Sequence, residues 1–125
     1  MQAGREIKFW AWDTETKKMS HDFLNKNWLR VCIESPFVEL MQFTGLRDSN
    51  DKEIYKGNVV LCDSRSSGKE RRVVCYDLHQ LKYKTVPLVA YHSNAGRGGW
   101  TGYEVKYHNE VIGNIYEKPE LLEAI

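Results

Sequence analysis

The segment from Gln42 to Asp63, QFTGLRDSNDKEIYKGNVVLCD, constrains the fold more than any other stretch of the chain. Two apolar runs are joined in it by a polar turn, and a second turn falls at Gly57-Asn58. Phe43, Leu46, Ile54, Tyr55, Val59, Val60 and Leu61 suit a half-buried pleated surface, so the segment predicts the seed of a small β core. It constrains architecture and carries no chemical motif of its own.

The 125 residues are enough for one domain and short for two. We therefore expect a single domain over 1–125, with residues 1–4 as a flexible tail. A hydrophobic content of 42% and a charged content of 28% belong to an ordinary globular chain. The formal charge of +1 gives no global attraction to nucleic acid or anionic lipid, so polyanion binding would need local clustering of Lys and Arg. No stretch approaches the ~20 apolar residues of a membrane-spanning helix. MQAGREIK lacks the apolar centre of a secretory signal, and a cytoplasmic location with no membrane partner is expected. Cys32, Cys62 and Cys75 are odd in number and form no C-x-x-C pair. They read as buried thiols in a reducing compartment, with neither a disulfide framework nor a zinc site.

Along the chain, Arg5 to Trp12 alternates as a strand, with Ile7, Phe9 and Ala11 on one face and Glu6, Lys8, Trp10 and Trp12 on the other. DTETKK supplies a turn, and His21 to Asn27 has no clear period. Trp28 to Glu34 is β-branched and aromatic enough to predict another strand, stopped at Ser35-Pro36, and Phe37 to Thr44 resumes the extended pattern. Asn58 to Asp63 and Arg72 to Leu78, joined by SRSSGKER, predict a β-hairpin. Thr85 to His92 is read as a strand whose Pro87 points to a sheet edge or a bulge. Ser93 to Gly102 is a glycine-rich loop, and Tyr103 to Tyr107 and Glu110 to Tyr116 are further extended runs. Pro119 followed by Glu120 predicts a short C-terminal helix, because proline presets φ and the carboxylate faces the helix N-terminus.

Three blocks, REIKFWAWD (Arg5 to Asp13), MQFTGLRDSNDKEIYKGNVV (Met41 to Val60) and EVIGNIYEKPELLE (Glu110 to Glu123), resemble in content and order the YopX family of phage and prophage proteins. The chain departs from that pattern at Trp10, where an arginine is common, at Ser49-Asn50-Asp51, in place of a Lys-Asn-Gly-like turn, and at Asn58, where an aspartate usually follows the glycine. The resemblance implies a β-rich fold and a bacterial mobile-element origin. It brings no established activity and no cofactor.

Candidate binding residues come from two loops and one strand face. Arg65, Lys69, Arg71 and Arg72 fall within eight residues, opposed only by Glu70, and a cationic turn of this kind releases counterions on a nucleic-acid backbone. The structural alternative is a solvated turn, as the cluster contains no aromatic for stacking. Gly96, Arg97, Gly98 and Gly99, followed by Trp100 as a possible stacking residue, can form an anion-binding nest or stacking platform, but lack the spacing of a P-loop or dinucleotide fingerprint. A purely connecting loop is the competing reading. Trp10 and Trp12 share a strand face that needs cover from another element or from a second copy of the chain. His21, His79, His92 and His108 are scattered, so no metal is expected, and no G-x-S-x-G or comparable cysteine context marks a nucleophile.

The expected fold is mainly β, a small twisted, partly closed barrel resembling an SH3-like barrel, with a short C-terminal helix and a sandwich as its nearest competitor. The expected function is that of a non-enzymatic phage or prophage accessory protein that binds a host or phage macromolecule as a homo-oligomer. Nucleic-acid recognition by the basic turn, and nucleotide binding, sequestration or turnover at the glycine-rich loop, are the alternatives.

Overall fold

The computed structural model describes residues 8–21, 26–64, 68–94 and 102–123. The tail at 1–4 lies outside them, as does most of the glycine-rich loop. The chain is mainly β: two antiparallel sheets make a half-barrel accompanied by two helices. The first sheet has the order β2-β1-β3-β4, built from β1 (Phe9–Asp13), β2 (Lys18–Ser20), β3 (Val38–Arg47) and β4 (Glu53–Tyr55). The second has the order β8-β7-β6-β5-β9, built from β5 (Asn58–Ser64), β6 (Gly68–Asp77), β7 (Lys82–Pro87), β8 (Tyr103–Glu104) and β9 (Glu110–Asn114). Helix α1 (Lys26–Glu34) precedes β3, helix α2 (Leu88–Asn94) follows β7, and a 3-10 turn (Pro119–Leu122) opens on proline as expected.

Side-chain carboxylates close the turns. Asp13 Oδ1 accepts the N–H groups of Glu15 and Thr16 between β1 and β2, and Asp48 Oδ1 accepts those of Asn50 and Lys52 between β3 and β4. Phe43, Ile54, Tyr55, Val59 and Val60 of the seeding segment are all buried. Leu46, expected with them, is 43% exposed because a bulge between Phe43 and Arg47, containing Gly45 at φ +92°, turns it outward.

The second sheet is covered on both faces, which explains why β5 and β6 read as continuous apolar runs. On one face Val60, Cys62 and Val74 pack with Ile54; on the other Val73, Cys75 and Val86 pack under Leu88, Ala90 and Tyr91 of α2 and Ile115 and Leu122. A third cluster, Met41, Phe43 and Tyr55, lies in the first sheet with Trp10, Met19 and Tyr116 against it.

Two predicted strands are helices. Trp28 to Glu34 lies in α1, whose last turn is closed by the Ser35 N–H on the Val31 carbonyl at 3.0 Å, with Arg30 and Glu34 paired one turn apart at 3.3 Å. Val31 and Ile33 are 57% and 62% exposed, and the residue between them, Cys32, is buried. Packing overrode β-branched propensity there. Thr85 to His92 splits at Pro87, the last residue of β7, and continues as α2. The β8 pairing reaches only Lys84 and Thr85, so Pro87 interrupts no ladder on that side despite the inner position of β7.

Gly57 joins the sheets. Its φ of +91° favours glycine, and a Cβ there would meet Tyr116 Cε2 at 3.2 Å. Gly57→Ala is expected to cost about 2–4 kcal/mol in urea denaturation, combining left-handed strain and overpacking. Gly68→Ala, with φ +79° but open space around it, should cost about 1 kcal/mol.

Candidate functional site

A cavity of about 370 Å³ opens between the outermost strands of the two sheets. β4 contributes Glu53, preceded by Lys52, and β9 contributes Val111, Ile112, Gly113 and Asn114. Trp10 of β1, Asn58 at the start of β5 and Glu117 complete the wall. Successive side chains on a strand point to opposite faces, so four consecutive residues line one cavity only where it runs along the strand's edge. Backbone as well as side chains therefore borders the groove.

Its polar groups are held by the chain itself. Glu53 Oε2 accepts the Lys8 ammonium at 2.6 Å and the Arg47 guanidinium at 3.3 Å, while Oε1 accepts the Tyr55 hydroxyl at 3.0 Å. The Lys8 hydrogen bond is the main cause of a Glu53 pKa below the ordinary carboxylate value; burial opposes it, and Tyr55 and the charges of Lys8 and Arg47 reinforce it. Burial raises the neighbouring Asp48, but the N–H groups of Val111, Lys52 and Asn50 and the Lys52 charge bring it down further. Asp48 is buried and reaches across to β9, its Oδ2 accepting the Val111 N–H at 2.9 Å. Asn58 Oδ1 accepts the Tyr55 N–H at 2.6 Å, and its Nδ2 donates to the Gly113 carbonyl at 3.4 Å. Trp10 is stacked on Tyr55 with ring centroids 4.5 Å apart, and His21 meets it edge-on.

The basic residues do not form one patch. Lys69, Arg71 and Arg72 are strand residues of β6, so Arg71 and Arg72 take opposite faces of the sheet. Lys69 pairs with Asp63 at 3.0 Å, and Arg71 donates to the Leu121 carbonyl at 2.9 Å. Arg72 is buried between Glu70, the Asp63 carbonyl and the ring of Tyr103, 4.0 Å from its guanidinium carbon. Arg65, Gly96, Arg97, Gly98, Gly99 and Trp100 lie outside the described residues. Trp10 and Trp12, expected on a strand face that needs cover, lie on the face that carries Met41 and Phe43, and Tyr55 and Tyr116 of the same chain stack on them.

A second cavity, of about 250 Å³, lies beside the Lys56-Gly57 turn with Cys75, Tyr91 and Tyr116 in its wall. Burial pushes the Cys75 thiol up to about 12, only partly offset by Lys56, and also raises Cys32 and Cys62. All three cysteines are free and buried, and such thiols stay protonated at neutral pH. His21, His79, His92 and His108 are exposed. Among the described residues, no three His, Cys, Asp or Glu side chains gather to hold a metal ion.

A family model described as YopX protein matches residues 11–123. The chain belongs to the YopX family. Membership suggests a phage-type protein. Among solved structures the chain is similar to protein EF1440 from Enterococcus faecalis, with a TM-score of 0.60 and 23% sequence identity. The match covers 96% of this chain and 100% of that one, and at this identity the likeness is one of fold. No curated protein matches the chain. Among the described residues, no helix is long and apolar enough to cross a membrane.

Every residue lining the groove falls in one of the three blocks that carry the YopX resemblance: Trp10 in the first, Lys52, Glu53 and Asn58 in the second, the rest in the third. Two of the departures from the family pattern, Trp10 and Asn58, are among them. Of the whole groove, sequence reasoning singled out Trp10 alone as a binding residue. The signal for the others was the distribution of the blocks, whose strands β1 and β3, and β5 and β9, are paired neighbours.

Asp48, with a depressed folded pKa, contributes stability that is complete above the unfolded value of about 3.9 and is lost as pH falls through the folded value. Asp48→Asn is expected to lower stability by about 1–3 kcal/mol at pH 7, with the gap to wild type closing towards pH 3 in denaturant titrations. Thiol titration with a disulfide reagent should leave all three cysteines unmodified in the native protein and modify all three in denaturant.

Proposed function

We propose that this YopX protein is a non-enzymatic binding module of a phage or prophage, and that the groove between β4 and β9 is its recognition surface for a host or phage protein. The observation that carries the reading is the make-up of that groove. An aromatic wall, Trp10, and an apolar one, Val111 and Ile112, flank a run of strand edge, a lining suited to holding a partner segment. Its carboxylates support binding over catalysis. Glu53 and Asp48 sit in hydrogen bonds and ion pairs that favour their charged forms, so neither is tuned to exchange a proton near neutral pH. The cysteines support the same reading, since their raised pKa values remove the thiolate that nucleophilic chemistry requires.

Selection of a randomised displayed-peptide library against the wild-type protein tests the reading, with Ile112→Glu as counter-selection. Ile112 belongs to none of the three core clusters, so the charge enters the groove without entering the core. Sequences enriched on the wild type are expected to lose at least about tenfold in affinity for the variant. Enrichment that survives in Ile112→Glu, or no enrichment at all, overturns the proposal.

A further inference from the structure

We infer that the occupant of this groove is an extended peptide segment that adds as an antiparallel strand to the outer edge of β9, with a basic side chain beside Glu117 and an acidic one beside Lys52. This rests on the groove being the binding surface and states how it is used. β9 is the last strand of its sheet, paired on one side by β5. The groove runs along residues 111–114, about 13 Å of edge at about 3.3 Å per residue, which accommodates four or five residues of an added strand.

The edge is irregular where the strand would join it. In the β5 register Val59 faces Gly113 and Val60 faces Val111, so Ile112 is an inserted residue with no opposite number. A bulge of this kind leaves the extra residue's backbone groups out of the ladder. The Val111 N–H already bonds a group outside the sheet, the Asp48 carboxylate, which occupies the position of a neighbouring strand's carbonyl. At the other end of the groove, the Asn114 carbonyl accepts the Lys118 N–H at 3.1 Å, while Gly113, opposite Val59, turns its backbone groups towards β5. The edge between these two contacts is where an added strand would find its donors and acceptors.

Charge gives the groove a direction. Lys52 follows from the Asp48 turn and so marks the Val111 end; its side chain is exposed. Glu117 is exposed at the Asn114 end, where its Oε1 accepts the Asn114 side-chain amide at 2.7 Å. A strand antiparallel to β9 enters at the Asn114 end, so its sequence reads basic, apolar, acidic from the N-terminus. The apolar centre lies against Ile112 and Trp10. Antiparallel addition is favoured because that pairing is the more stable per residue.

The blocked peptide acetyl-Lys-Thr-Val-Thr-Asp-amide, whose Lys, Val and Asp share one face, tests this, titrated to about 1 mM into the isotopically labelled protein and followed by amide chemical shifts and hydrogen exchange. Shift changes are expected at Lys52 and across 111–114, and exchange at Ile112 should slow by about tenfold at saturation. The charge-swapped peptide acetyl-Asp-Thr-Val-Thr-Lys-amide should bind more weakly to the wild type, and Lys52→Glu should remove that preference. Alternate N-methylation of the peptide backbone should abolish binding. Equal binding of the N-methylated peptide overturns strand addition while leaving the groove as the binding surface. Absence of any shift along β9 overturns strand addition as well; the separate library selection through Ile112 then decides whether the groove binds anything.

Discussion

The half-barrel depends on the two-residue turn Lys56-Gly57, where four hydrogen-bonding strands converge. The Lys56 N–H bonds the Gln42 carbonyl of β3, the Gly57 N–H bonds the Val74 carbonyl of β6, and the Gly57 carbonyl accepts the Ile115 N–H after β9. Asn58 adds its side-chain bond to the Tyr55 N–H. The turn is therefore the point where the backbone of the first sheet is hydrogen-bonded to the second, and a left-handed residue is required there with Met41 and Tyr116 packed over it. Because β4 and β5 leave this point in different sheets, their divergence opens the groove on one side. The space between the sheets follows from the turn that joins them.

What holds the groove open is polar. Asp48 ties the β3–β4 turn to β9, Asn58 ties the end of β4 to β9, and Glu53 gathers Lys8, Arg47 and Tyr55. Asp48 and Asn58 replace contacts that the separated sheet edges cannot make with each other, and Glu53 braces the first sheet. A carboxylate accepting several N–H groups meets the hydrogen-bonding demand that otherwise makes a buried charge costly. Such a frame is rigid at its ends, and rigidity before binding reduces the ordering cost of taking up a partner.

The parts of this architecture legible in the sequence were those with local causes. The turn at Asp48, the Gly57 turn, the β5–β6 hairpin and the proline-led C-terminal turn each depend on residues within a few positions of one another. α1 and α2 were misread because Val31, Ile33 and Val89 are β-branched, and what decides between strand and helix there is tertiary packing around Cys32 and Tyr91. The basic cluster was misjudged for another reason. Proximity along the chain suggested one patch, but a strand places adjacent residues on opposite faces, and Lys69 and Arg72 found carboxylates across or along the ladder. The groove was illegible residue by residue, since it draws on β1, the β4 turn and β9 and includes backbone, which no side-chain motif reports. Its one foreseen member, Trp10, was read from the pairing of two tryptophans on one strand face that needs cover, and Met41 and Tyr55 of the same sheet supply that cover.

The size of the groove also limits how it works. Two or three added backbone hydrogen bonds contribute about 0.5–1.5 kcal/mol each, exposed ion pairs at Lys52 and Glu117 about 0–1 kcal/mol each, and an apolar side chain against Trp10 about 1.5–3 kcal/mol. Association itself costs at least about 4 kcal/mol at the standard state. The surplus is that of a weak contact, so an edge of this length can select a segment by its pattern without holding it for long. A lasting complex needs further surface on the same partner, or several copies of the module presented together, where effective concentration multiplies a weak contact without altering it.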